Sequence, residues 1–300
     1  MATHQTSSPP RYYVPEQSKW PIIGSIGLFL TLGGAASVMV RSGAGNDTTI
    51  SWLVFLSGAL VMAYMLFGWF SNVIRESQAG LYSRQIDRSF RWGMTWFIFS
   101  EVMFFSAFFG ALFYARFFAV PWLGGEGERG SSAMLWSDFQ SSWPLMVNPN
   151  NELFPGPTAT IDPWHIPLLN TVLLLTSSVT ITLAHKALKQ GQRNAVKLWL
   201  ASTIGLALVF LGFQAYEYVE AYTHLSLTLR SGIYGSTFFM LTGFHGAHVT
   251  LGTIMLIVIL LRILRGHFTP DHHFGFEAAS WYWHFVDVVW LGLFIFVYIL

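Results

Sequence analysis

Cysteine is absent from all 300 residues of the chain. Disulfides, zinc-thiolate sites, iron-sulfur clusters and thiolate-bridged copper centres are therefore excluded, and any metal would have to rest on His and carboxylate ligands. Charge is nearly as scarce. Only 10% of residues are Asp, Glu, Lys or Arg, where an ordinary soluble domain carries about a quarter. With 53% hydrophobic and 17% aromatic residues, the composition is that of a chain dissolved in lipid. The net charge is +1, and the basic residues are scattered through short loops instead of forming a stripe, which argues against a nucleic-acid partner. No internal repeat is visible, so a transporter built from duplicated halves is not indicated. The segment 1–19 is polar and contains proline, without the basic, apolar and small-residue order of a cleavable signal. The first hydrophobic span is expected to act as its own uncleaved insertion signal.

What the chain has in abundance is long apolar runs. A hydrocarbon core of about 30 Å needs about 20 such residues per helix, and seven segments reach that length: 20–40, 50–70, 92–118, 165–185, 198–222, 233–264 and 281–300. Cytoplasmic loops of membrane proteins accumulate Lys and Arg. Counting from the amino-terminal side, only Arg41, Arg116, Arg129 and Arg230 of the 16 basic residues fall in the alternate set of loops. The bias fixes the phase of the spans and puts the amino terminus in the cytoplasm and the carboxyl terminus on the far side. The expected fold class is all-α: a cytoplasmic segment 1–19, then a seven-helix transmembrane domain over 20–300. A β-barrel would instead show alternating segments of about ten residues. The stretch 119–164 reads as a long extracytoplasmic loop, rich in acids and holding Trp122, Trp136 and Trp143. It is either a surface that rests on the membrane interface or a partner, or a mobile insertion.

Titratable side chains inside spans are costly unless packed against protein, so each is a functional candidate. Glu101 lies ten residues past Arg91, about 15 Å deep at the helical rise, which suits either a neutral hydrogen-bond donor or a proton-handling group. His245 and His248 stand three apart in the sixth span, on one helix face. A metal or haem would need more convergent ligands than Glu101, His284 and Asp287 can add, so the expectation is hydrogen bonding between helices, with Glu101 as a possible partner, and no metal. Gly243 and Gly246 would admit a close neighbour. The last span opens on aromatic residues and then buries Asp287, three residues after His284. Arg75, Arg262, Arg265 and His267, with Trp69 nearby, sit at the cytoplasmic ends of spans two and six, where basic residues commonly meet anionic lipid or simply snorkel.

Several of these residues carry a family resemblance. The run 272–290, HHFGFEAASWYWHFVDVVW, resembles the carboxyl-terminal signature of subunit III of cytochrome c oxidase. So do 234–239, YGSTFF, and 242–248, TGFHGAH. The stretches 73–77, VIRES, 100–102, SEV, and 167–171, PLLNT, follow the family's order. The resemblance extends over nearly the whole chain from the second span. The long loop after the third span is the departure, and with the cysteine-free composition it suggests a bacterial enzyme in the inner membrane.

The resemblance implies a supporting role in a respiratory, proton-pumping oxidase that reduces oxygen to water. Such a subunit carries no cofactor of its own. Haem and copper belong to partner subunits I and II, and cytochrome c donates electrons to the complex. The family binds phospholipids in a cleft between its first two helices and the other five, supports proton uptake and protects the active site during turnover. Glu101 falls on the family's carbodiimide-reactive carboxylate, and Arg75, Arg262, Arg265 and His267 on positions associated with lipid head groups, with Trp69 beside them as a further expected lipid-binding residue. His245, His248, His284 and Asp287 form the expected intramembrane polar network. The rivals are the corresponding subunit of a quinol oxidase, which usually has five spans, and a self-contained proton transporter.

Overall fold

Two glycine-marked helices open the fold, and their packing follows from what those glycines lack. A computed structural model describes residues 13–14, 16–127 and 130–300; Arg11, Glu128 and Arg129 lie outside the described residues. Helix α1 (Trp20–Gly43) starts with Pro21 in its first turn and packs on α2 (Thr49–Gln78), a position where proline's fixed φ suits the helix. Gly27 and Gly34 are the buried residues of α1, and a Cβ on Gly34 would run into the Phe55 backbone. Gly58 meets the backbone at Thr31 in the same way. Small residues let two backbones approach where lipid gives no hydrophobic drive for association, and Ser37 and Ser51 hydrogen-bond across the seam at 2.7 Å.

This close approach is testable because the chain supplies no competing thiol. Cysteines placed at Ser37 and Ser51 should crosslink readily under mild oxidation, and adding Gly34→Leu should cut the crosslink yield several-fold. An unchanged yield would contradict the packing.

The chain divides into two compact units at Phe90/Arg91. In the first, the turn after α2 is tied by Tyr82, whose hydroxyl donates to Glu76 Oε2 at 2.7 Å and whose ring meets Phe90 edge-on. Burial, then the bond to Glu76, holds the Tyr82 phenol above its usual range. The second unit holds the bulk of α3 (Arg84–Tyr114) with α5 (Ile166–Lys189), α6 (Arg193–Thr223), α7 (Gly232–Leu264) and α8 (Phe274–Leu293). Seven helices are long and apolar enough to cross a membrane, and no strand occurs among the described residues.

Helix α8 is the centre of the second unit: 61% of its span is buried, against 11% for each of the first three spans. Its indoles fasten it to α5. Trp283 donates to Ser177 Oγ and Trp290 to Thr171 Oγ1, both at 2.9 Å. Thr180 with Thr203 ties α5 to α6, and Tyr218 with Thr242 ties α6 to α7. Such hydrogen bonds and close packing are what hold helices together in lipid.

Several element ends lie beyond the apolar runs: α2 continues to Gln78 instead of 70, α3 starts at Arg84 instead of 92 and α6 at Arg193 instead of 198. The third span does not stop at 118. It passes through a π-helical stretch (Ala115–Ala119) into α4 (Val120–Leu123), whose Pro121 lacks an N–H and cannot continue a regular ladder. Helix α8 begins at Phe274, seven residues before the aromatic belt, because its polar first turn is paired within the protein. The chain after α4 is also fixed in part: Trp143 meets Tyr234 edge-on, Thr158 N donates to Leu225 O at 2.9 Å, and Asn148 Nδ2 donates to Phe154 O at 2.7 Å. The segment around 143–158 is therefore anchored to the α6–α7 connection, not a free insertion.

Candidate functional site

Helix α3 carries Glu101 to a point where α7 presents His248, and Glu101 Oε2 lies 2.9 Å from His248 Nε2. The other imidazole nitrogen, Nδ1, lies 2.7 Å from the Phe244 carbonyl. A carbonyl only accepts, so Nδ1 carries a proton and donates it. Nε2 then either accepts from a carboxylic acid or, in an imidazolium, donates to a carboxylate. Both arrangements place one proton between the two side chains and give the pair no net charge. Phe105 packs edge-on and Tyr282 stacks against the His248 ring. The carboxyl side chain keeps 21% of its surface accessible, enough for a small lipophilic reagent to reach it.

His245 does not join this pair. It is fully buried, its Nε2 lies 3.2 Å from Val286 O on α8, and its ring sits among Phe210 and Trp290. Three residues of helix rotate a side chain by about 300°, which sends His248 toward α3 and His245 into the α6–α8 seam. The two imidazoles bridge different helices. His284 belongs to a third contact, with Nδ1 at 2.7 Å from Ser178 Oγ and 3.9 Å from Asp287 Oδ2; Asp287 itself is buried.

Two intramembrane acids, Glu217 and Glu220, are missing from the sequence analysis, and the first is deeply buried. Glu217 on α6 is 1% exposed, and its Oε1 accepts from Tyr298 at 2.5 Å and from Gln214 Nε2 at 3.2 Å. The signal was present, since Gln214, Glu217 and Glu220 recur at three-residue spacing inside the span, and helical neighbours at that spacing share a face.

The residues at the helix ends fall in both units. On α2, Trp69 is stacked on Phe70, and the exposed Arg75 bonds Asn72. At the end of α7, the Arg262 guanidinium lies 4.2 Å from the Phe268 ring centre, and its buried Nε lacks a hydrogen-bond partner. Arg265 is exposed. Burial, with Arg262 and Arg265 beside it, holds the His267 imidazole below its usual range.

Seven membrane-length helices among the described residues, with a carboxyl–imidazole contact between two of them, define a multi-pass membrane protein. The family profile of cytochrome c oxidase subunit III matches residues 10–127 and 131–300. Relatives named cytochrome c oxidase subunit 3 include one from Marchantia polymorpha, 42% identical over 289 residues that cover 96% of this chain and 95% of the relative. One from Triticum aestivum is 41% identical over 96% of this chain and 95% of its own. One from Drosophila melanogaster is 40% identical over 99% and 98%. The chain belongs to the cytochrome c oxidase subunit III family. It is thus a non-redox part of an oxidoreductase complex of the respiratory chain.

Proposed function

We propose that this subunit supports the oxidase from its flank: it packs against catalytic subunit I in a complex with subunit II, holds phospholipid, and keeps the proton-entry region intact. Haem and copper stay in those partners, and cytochrome c is the donor to the complex. The observation that carries this reading is the Glu101–His248 pair, a carboxyl in hydrogen-bond contact with an imidazole between two spans.

The end of α7 supports the lipid assignment. Arg262 is backed by Phe268 and has a buried, unpartnered Nε, and Arg265 and His267, at and just past the helix cap, add positive charge or hydrogen bonds. An anionic head group would answer these groups. Trp69 and Arg75 on α2 offer an interfacial aromatic and a cation. His245, His284 and Asp287 hold the helices in register. The Lys and Arg bias supports an amino terminus in the cytoplasm and a carboxyl terminus in the periplasm. The long loop and the lack of cysteine support a bacterial inner membrane.

Replacing Glu101 by alanine in the assembled oxidase is expected to abolish carbodiimide labelling of this subunit while haem reduction continues at close to its normal rate. Labelling of another carboxyl with unchanged intensity, or complete loss of haem reduction, would overturn the reading.

A further inference from the structure

Away from the Glu101 pair, one cluster of titratable side chains has no task in the reading above. His185 near the end of α5, His273 at the cap of α8 and Glu277 in the first turn of α8 converge, with ligand atoms all within 4.8 Å of one another. Both imidazole Nε2 atoms lie 3.5 Å from the same oxygen, Glu277 Oε1. Both nitrogens are buried without a hydrogen-bond partner. Bare polar atoms are costly in that state. The two nitrogen–oxygen separations of 3.5 Å are close to those across a tetrahedral zinc ion, which holds ligands at about 2.0–2.1 Å and so roughly 3.3–3.4 Å apart.

The groups behind the three ligands set them up for this. His273 Nδ1 lies 3.2 Å from the Thr269 carbonyl and donates its proton there, so the lone pair sits on Nε2, facing the cluster. Metal-bound histidines are usually oriented by such a carbonyl. Arg91 takes the other carboxylate oxygen, Oε2, at 2.5 Å, and leaves Oε1 to the imidazoles. The His185 ring is held flat against Phe276. Two imidazoles and one carboxylate suit a borderline cation such as Zn2+ better than Mg2+ or Ca2+, which prefer oxygen.

We propose that His185, His273 and Glu277 form a binding site for a zinc-type divalent cation that ties the end of α5 to the start of α8. The ion departs from the sequence expectation of no metal on this chain, because ligands so far apart in sequence meet only in the fold. The Arg91 charge beside Glu277 opposes a further cation, and the protein supplies three ligands to the ion. Neither Glu101 nor His248 takes part, so this site stands or falls independently of that pair.

The assembled oxidase, incubated with zinc chloride and then passed through gel filtration, is expected to retain about one zinc per complex more than the complex bearing His185→Ala and His273→Ala. His272→Ala, which alters the exposed neighbour, should keep that ion. Glu277→Gln keeps the side-chain shape and serves where the double variant fails to assemble; it should lose the ion as well. The extra zinc should show nitrogen and oxygen ligands at about 2.0–2.1 Å by X-ray absorption. Equal zinc in the wild-type and Glu277→Gln complexes, or equal loss in His272→Ala, would mean an adventitious ion only and overturn the site.

Discussion

Trp290→Ala is expected to destabilise the second unit by about 3–5 kcal/mol, the range for emptying a large aromatic site in a packed interior. The indole is 1% exposed, its N–H is spent on Thr171 of α5, and its ring faces Phe210 of α6 and His245 of α7. One side chain therefore joins four helices, and no neighbour can collapse into the gap without moving another. Trp290→Phe keeps most of the volume and gives up one hydrogen bond, so it should cost far less. The thermal release of the subunit from the detergent-solubilised oxidase reads the difference. A midpoint for Trp290→Ala equal to that of the wild type would refute the central position given to α8.

Glu217→Ala should be the next most damaging change, for a different reason. It removes no great volume, but it strands the Tyr298 hydroxyl and the Gln214 amide, and a buried polar group left without its partner costs about 1–3 kcal/mol. Glu217→Gln retains an acceptor for Tyr298 and should be mild. Tyr298→Phe removes the partner along with the need for it. In a double-mutant cycle, Glu217→Ala and Tyr298→Phe together should cost less than the sum of the two alone, since the second change removes one orphan created by the first. Strict additivity would show that the 2.5 Å contact carries no energy.

The bundle was legible in the sequence because membrane spans announce themselves by length: α1 runs from Trp20 as read, and α7 ends at Leu264 as read. What misled was pairing that hydropathy does not see. The apolar run of the last span starts at Trp281, whereas helix α8 starts at Phe274, where Arg91 of α3 meets Glu277 within the protein. The same blindness hid Glu217, whose partner Tyr298 lies on the last span. His245 and His248 were read as one face, and at three-residue spacing they are close to it. Yet a rotation of about 60° from eclipsed is enough to give one to α3 and the other to the α6–α8 seam. Glu101 was found on depth alone. Depth does not name His248 as its partner or show that the imidazole Nδ1 faces Phe244 O at 2.7 Å; both contacts depend on how α7 packs on α3.

The central claim is that this chain serves an electron-transfer complex without carrying electrons, and an absorption spectrum tests it most directly. The affinity-purified assembly should show haem bands, and the same chain separated from its partners in mild detergent should be colourless through the visible range. A haem or copper chromophore remaining in stoichiometric amount on the separated chain would contradict the account.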